Sequence, residues 1–192
     1  MTTHDEDEVR HPALHVGEVV DNADPEGLGR VRIRIPGLVA PASAWAFPLG
    51  TVGGGCDRRG FFAVPEKGAE VGVLFLQGDI DRPFYLGGHW GKPDGQPEVP
   101  EPARSMAKED AARVRAFETN RFLLVFDDRE GKEAFVVKDK KSGDQIELDG
   151  AGMGITIKAT SALLIKADGL VNIEGALVQI QGRLVLPSSK PI

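Results

Sequence analysis

Over its last fifty residues the chain repeats one motif, an apolar pair spaced two residues apart. Ile155/Ile157, Leu163/Ile165, Val171/Ile173 and Val178/Ile180 follow one another at steps of eight, eight and seven, and Val185 continues the series seven residues later. Ile146/Leu148, nine residues upstream of the first pair, is the preceding member. Side chains two apart on an extended chain point the same way, so the pairs predict short strands with one dry face. Thr156, Lys158, Lys166, Asn172, Glu174, Gln179 and Gln181 make the wet one, and Gly169, Gly175 and Gly182 sit where the backbone must turn a corner. A step of seven or eight holds one strand and one corner, whereas a solenoid that closes its own interior uses roughly twenty or more residues per coil. Such a ribbon alone buries too little apolar surface to offset about 1–2 kcal/mol of backbone ordering per residue. Three copies around one axis supply the missing surface. Residues 120–192 are therefore expected to form one third of an intertwined triple-stranded β-prism. Its shared core would hold Ile146, Leu148, Ile155, Ile157, Leu163, Ile165, Val171, Ile173, Val178, Ile180 and Val185. The competing reading is an antiparallel meander packed on the preceding domain.

Upstream the pattern is also that of strands, and 24 Gly with 13 Pro argue against long helices. Between His15 and Trp90 the short apolar runs 16–20, 30–35, 44–49, 70–76 and 82–86 alternate with turn signals such as Asp24-Pro25-Glu26-Gly27. That spacing predicts a small β-barrel over 15–90. Arg30 to Ile35 alternates strictly, so Val31, Ile33 and Ile35 are expected inside and three guanidiniums outside. Residues 1–14 are polar, acidic and without period, an arm. Pro93, Gly95, Pro97, Pro100 and Pro102 mark a linker over 91–119, within which 105–118 is expected to form one short helix with Val114 and Phe117 on one side.

Several function classes drop out. Residues 1–90 carry 13 acidic and 8 basic side chains and the remainder 16 and 15, so neither half has the clustered Lys and Arg that hold a phosphate backbone, and no nucleic-acid partner is expected. The lone Cys56 excludes an intrachain disulfide and sits in no zinc-ligand spacing. Gly53-Gly54-Gly55 is followed by Cys56 where a phosphate loop needs Lys-Ser/Thr. Asp127, Asp128 and Glu130 read as a solvated turn with the wrong spacing for a calcium loop. No catalytic residue, metal ligand or cofactor is assigned, and an enzyme is not expected. The acidic N-terminus is unlike a signal peptide, and no apolar run approaches the roughly 20 residues that cross a bilayer. The alternative to a structural role is a nucleic-acid or glycan binding barrel with an oligomerisation stalk.

Val16 to Val20 and Gly27 to Gly37 resemble the opening of the OB-fold domain in the spikes of contractile injection machines. Pro65-Glu66-Lys67-Gly68-Ala69-Glu70-Val71 is similar to the family's Pro-x-x-Gly-x-x-Val signature, and Gly78-Asp79-Ile80-Asp81-Arg82-Pro83-Phe84-Tyr85-Leu86-Gly87 to its Gly-Asp-x-x-x-Pro-x-x-x-Gly signature. With Gly29 and Arg30, the fixed positions of those signatures are the OB-fold markers of this chain. Residues 120–131 and 143–158 are similar to the entrance of the same family's β-helix. The family is the phage baseplate assembly protein V group, which includes the spike part of VgrG.

The resemblance implies an all-β homotrimeric central spike, made in the cytoplasm without a signal peptide and assembled into a phage tail or injection-particle baseplate. Its OB domains would join a hub and the tube protein rings, and its β-helix would meet the target membrane transiently during piercing. Only about thirty residues, 91–119, separate barrel and spike, too few for the lysozyme domain of some members. The fourteen residues before His15 cannot encode a hub, which implies a separate hub protein. His4, His11, His15 and His89 all precede residue 90, so the His-x-His iron tip of some members is missing. A blunt end at Leu186 and Pro187 would instead take a PAAR-type tip protein.

Overall fold

The computed structural model describes residues 10–50, 55–152 and 154–185. Two compact units, Met1–Val99 and Pro100–Ile192, divide the chain, and each holds a five-stranded sheet.

In the first unit β1 (His15–Asp21), β2 (Arg32–Arg34), β3 (Phe47–Pro48), β4 (Glu70–Phe75) and β5 (Pro83–His89) are ordered β2-β1-β4-β5-β3. All neighbours are antiparallel except β3 and β5. Bridges from Val31 to Ala46 and from Ile35 to Val39 curl the sheet toward closure, as an OB fold requires. The alternation predicted for residues 31–35 holds: Val31, Ile33 and Ile35 are buried with Val19, Ala46, Val71, Val73, Phe75 and Tyr85. Gly17 lets the curl happen. A Cβ there would lie 2.4 Å from Ile33 Cγ2 and 3.1 Å from the Arg34 carbonyl oxygen, so only glycine lets β1 and β2 approach this closely.

The expectation of three outward guanidiniums is corrected at Arg30, which is buried. Asp24, in the β1–β2 loop, accepts from the backbone N–H groups of Glu26, Leu28 and Arg30 and from the Arg30 side chain at 2.7 Å. That carboxylate compensates the burial of the cation, which otherwise costs heavily. Arg32 and Arg34 do lie outward, Arg34 paired with Glu18.

The second unit departs further from expectation. The helix expected over 105–118 is a single turn, α1 (Lys108–Ala111), after a 3-10 turn at Ala103–Ser105; Val114–Glu118 is a strand, β6. Residues three apart share a helix face but lie on opposite faces of a strand. Val114 is 9% exposed and Phe117 46%. The expected linker thus supplies the first strand of a sheet. β7 (Phe122–Asp127), β8 (Ala134–Asp139), β9 (Gln145–Asp149) and β10 (Gly154–Lys158) follow as an antiparallel meander in the order β10-β9-β8-β7-β6.

Three of the meander's four turns open on an Asp. Asp127, Asp139 and Asp149 each end a strand, and their Oδ1 atoms accept from the N–H of Arg129, Lys141 and Gly152. Such side-chain turns reverse the chain at once. Hence Ile146/Leu148 and Ile155/Ile157, expected in the shared core of an intertwined prism, lie side by side within one chain: Leu148 opposes Ile155 and Ile146 opposes Ile157. The last step is likewise a turn within the chain. Gln181 and Gly182, at φ 51° and 74°, make a tight two-residue turn between β11 (Gln179–Ile180) and β12 (Arg183–Leu184), which returns Val185 to Val178.

Candidate functional site

Read across the meander, the register gathers one dry face. Phe117, Leu124, Val137, Ile146 and Ile157 form one row across all five strands; Phe126, Phe135, Leu148 and Ile155 form the next, with Arg115 at its end. Phe122 extends the face, and the Phe126 and Phe135 ring centroids are 4.9 Å apart. In the chain alone this surface is open, with Ile155 74% exposed and Phe122, Phe126, Ile146, Leu148 and Ile157 each near half. Two shallow clefts cross it, one lined by Phe126, Phe135, Leu148 and Ile155, the other by Phe122, Val137, Ile146, Ile157 and Leu163.

The opposite face is partly covered by its own chain, at β6 and β7. Val114 and Val125 are buried there, and the stretch before β6 is tied to the sheet. Glu101 N–H donates to Glu118 at 2.8 Å, Lys140 pairs with Glu118 at 2.6 Å, and Arg129 spans Asp127 at 2.6 Å and Asp110 at 3.5 Å. These contacts set the acidities. The Lys140 ammonium, then the Glu101 N–H, hold Glu118 below its ordinary value; Arg129 does the same to Asp127, and Arg121 draws Asp139 down to about 2. A sheet with one face tied down and the other apolar is built to be covered.

Beyond β10 the apolar pairs continue without a sheet as far as the β11–β12 hairpin. Leu163, Ile165, Val171, Ile173 and Ile180 are exposed, as are Leu164 and Leu170, the latter 84%. Residues 161–177 make no backbone-to-backbone hydrogen bond with any described residue. The expected core positions therefore fall into two groups: four lie on the dry face of the meander, and the rest lie along this unpaired stretch or its closing hairpin. Leu186 and Pro187, expected at the tip, lie outside the described residues. Phe117, Phe122, Leu124, Phe126, Phe135 and Val137 belong to the dry face and were not foreseen in it. Their signal was the continuous apolar runs 122–126 and 134–137, which mark strands but do not say which side chains share a face.

The OB-fold markers hold the barrel together. Gly29 adopts φ 75° beneath the Phe62 ring, 2.8 Å from where a Cβ would stand, and its carbonyl accepts the Tyr85 hydroxyl at 2.7 Å. Arg30 lies over the Trp45 and Phe47 rings, and its hydrogen bonds hold Asp24 well below the ordinary carboxylate range. The Pro65 carbonyl accepts from Asn22, Gly68 N–H donates to Val19 O, and Val71 is buried. Gly78 accepts from His11 N–H, Asp79 accepts from Asp81 N–H, Pro83 is buried, and Gly87 is exposed on β5. Among the described residues no cluster of His, Cys, Asp and Glu could hold a metal ion, and no helix is long and apolar enough to cross a membrane.

A curled all-β barrel closed by Tyr85, Arg30 and a Gly29 turn defines the first unit as an OB-type domain. Residues 15–90 match the family model of the type VI secretion system/phage-baseplate injector OB domain, so this unit is similar to the OB domains of baseplate injectors. No curated protein matches the chain.

Proposed function

We propose that the chain is the structural central spike of a contractile tail or injection-system baseplate, acting as a homotrimer. The similarity to injector OB domains supports the baseplate context. The trimer rests on one observation, the backbone of 161–177: alternating, apolar and without hydrogen-bond partners among the described residues of its own chain. Apolar side chains this exposed gain by burial, and backbone that leaves water with them must be paired, which strands of other copies would supply.

The dimensions agree. A five-residue strand such as β9 or β10 spans about 17 Å, and three walls of that width enclose an axis about 5 Å from each backbone, half the ~10 Å spacing of packed sheets. One layer of Ile, Leu and Phe from each wall fills that space. A rod of paired backbone and interlocked aliphatic rows bends little, which suits it to pierce an envelope. A separate hub protein and the tube rings would meet the OB domains, and a PAAR-type protein the far end. Light scattering tests the trimer: three times the 20.6 kDa chain mass is expected, with amides of 161–177 protected from exchange. A 20.6 kDa species whose 161–177 amides exchange freely would overturn it.

A further inference from the structure

We propose that Asp144 and Thr160 form a corner latch that keeps the outer edge of β10 open for residues 162–166 of a second copy of this chain. The proposal rests on the trimeric reading above and names how the copies avoid pairing with themselves.

The danger is local. Only Ala159, Thr160 and Ser161 separate β10 from residues 162–166, which hold the next apolar pair, Leu163/Ile165. Three residues suffice for a hairpin, and a hairpin here would fold 162–166 back along β10 as a sixth strand. That closure is intramolecular and would outrun pairing with another copy. It does not occur. Thr160 donates its backbone N–H at 2.7 Å and its hydroxyl at 2.8 Å to one oxygen of Asp144, sixteen residues back in the β8–β9 turn. The Thr160 methyl stands 3.9 Å from where a Cβ on Gly143 would be, so that turn fits against it. Held at this corner, the chain crosses the end of the sheet, and Leu163 joins Phe122, Val137, Ile146 and Ile157 in the cleft of the dry face. The Thr160 N–H also keeps the Asp144 carboxyl below its ordinary value, so the acceptor is charged at neutral pH.

β10 is thereby left as an edge strand with one row of N–H and C=O groups unused. Proteins guard such edges unless a partner is meant to take them. The matching occupant is 162–166 of a sister copy: it carries the next apolar pair, lies eight residues on, and has unpaired backbone of its own.

The test uses the full chain, with Asp144→Ala and Thr160→Val as latch variants, Asp144→Asn as a variant that keeps the acceptor, and Lys166→Ala as a surface control. Light scattering against concentration gives the midpoint of trimer dissociation, and hydrogen exchange reports pairing at 154–158 and 162–166. Because each of the three dissociated chains then gains the competing hairpin, the midpoint should rise at least roughly tenfold for Asp144→Ala and Thr160→Val. Asp144→Asn should stay within about threefold of the parent, and Lys166→Ala should match it. Dissociated Asp144→Ala should show protection at 154–158 and 162–166 that dissociated parent chain lacks. Parental midpoints for both latch variants, with no new protection, would overturn the latch and leave the trimer standing. A parent chain that is monomeric at every concentration would instead remove the trimeric reading on which the latch depends. Should Asp144→Ala lose its β-sheet circular dichroism, Thr160→Val and Asp144→Asn alone decide.

Discussion

Truncating Ile155 separates a lone sheet from an assembled one. In a single chain Ile155 is 74% exposed, so Ile155→Ala removes only about a quarter of the 1.5–3 kcal/mol that full burial of such a side chain contributes, roughly 0.5 kcal/mol. In the proposed trimer the same side chain is enclosed, and the loss becomes about 2–5 kcal/mol in each copy, transfer and cavity together. At roughly 2–4 °C per kcal/mol for a chain of this size, the melting shift is no more than about 2 °C in the first case and at least about 4 °C in the second. Because the loss falls on an interface, the second shift also grows on dilution. Val73→Ala is the internal comparison. Val73 is fully buried in the barrel, so its cost of about 2 kcal/mol should not depend on concentration. Differential scanning fluorimetry over a hundredfold range of concentration, with light scattering at each point, reads both. An Ile155→Ala chain melting within about 1 °C of the parent at every concentration, with unchanged mass, would refute the burial of this face.

Three further outcomes follow from the barrel and the turns. Gly17→Ala drives a methyl into Ile33 and the Arg34 carbonyl, and should cost about 1–3 kcal/mol in urea unfolding; a neutral result would mean that β1 and β2 separate readily. Tyr85→Phe leaves the Gly29 carbonyl without its 2.7 Å donor and should cost about 1 kcal/mol, read the same way. Acid sensitivity follows from Asp24, Asp127, Asp139 and Asp144, all held below their ordinary values by hydrogen bonds to their charged forms. A carboxyl depressed in the folded state stabilises the fold fully above its unfolded value near 3.9 and loses that contribution as pH falls through its folded value. Urea midpoints should therefore hold above about pH 5 and fall chiefly between about 4 and 2, where Asp139 titrates; a flat profile down to pH 2 would contradict these pairings.

What the sequence made legible was governed by local periods. Val31, Ile33 and Ile35 alternate strictly and went inside, because a two-residue period admits only one burial pattern. Of the apolar pairs, Ile146/Leu148 and Ile155/Ile157 share one face of the meander. What they could not convey was which strand lies beside which, since a step of eight or nine fits a corner and a hairpin equally well. The deciding residues were Asp139 and Asp149, whose side chains reverse the chain, and their role shows only when each is seen to end a strand. Arg30 misled for a different reason: alternation predicts direction, whereas a buried carboxylate six residues upstream decided where the guanidinium rests. Val114 and Phe117 fitted a helical stripe by chance, over a span too short for periodicity to discriminate.

Five strands make an odd number, and that parity has a mechanical meaning. β6 and β10 run in the same direction, so the polypeptide enters the meander at the level of Val114 and Gly154 and departs at the level of Glu118 and Lys158, four strand spacings away. The sheet acts as a conveyor that moves the chain sideways by about 19 Å while preserving its heading. An inserted hairpin of two strands would lengthen that travel by about 10 Å and leave the heading unchanged, whereas a single inserted strand would send the remaining residues back toward the side from which they came. Length in this architecture can thus grow by pairs.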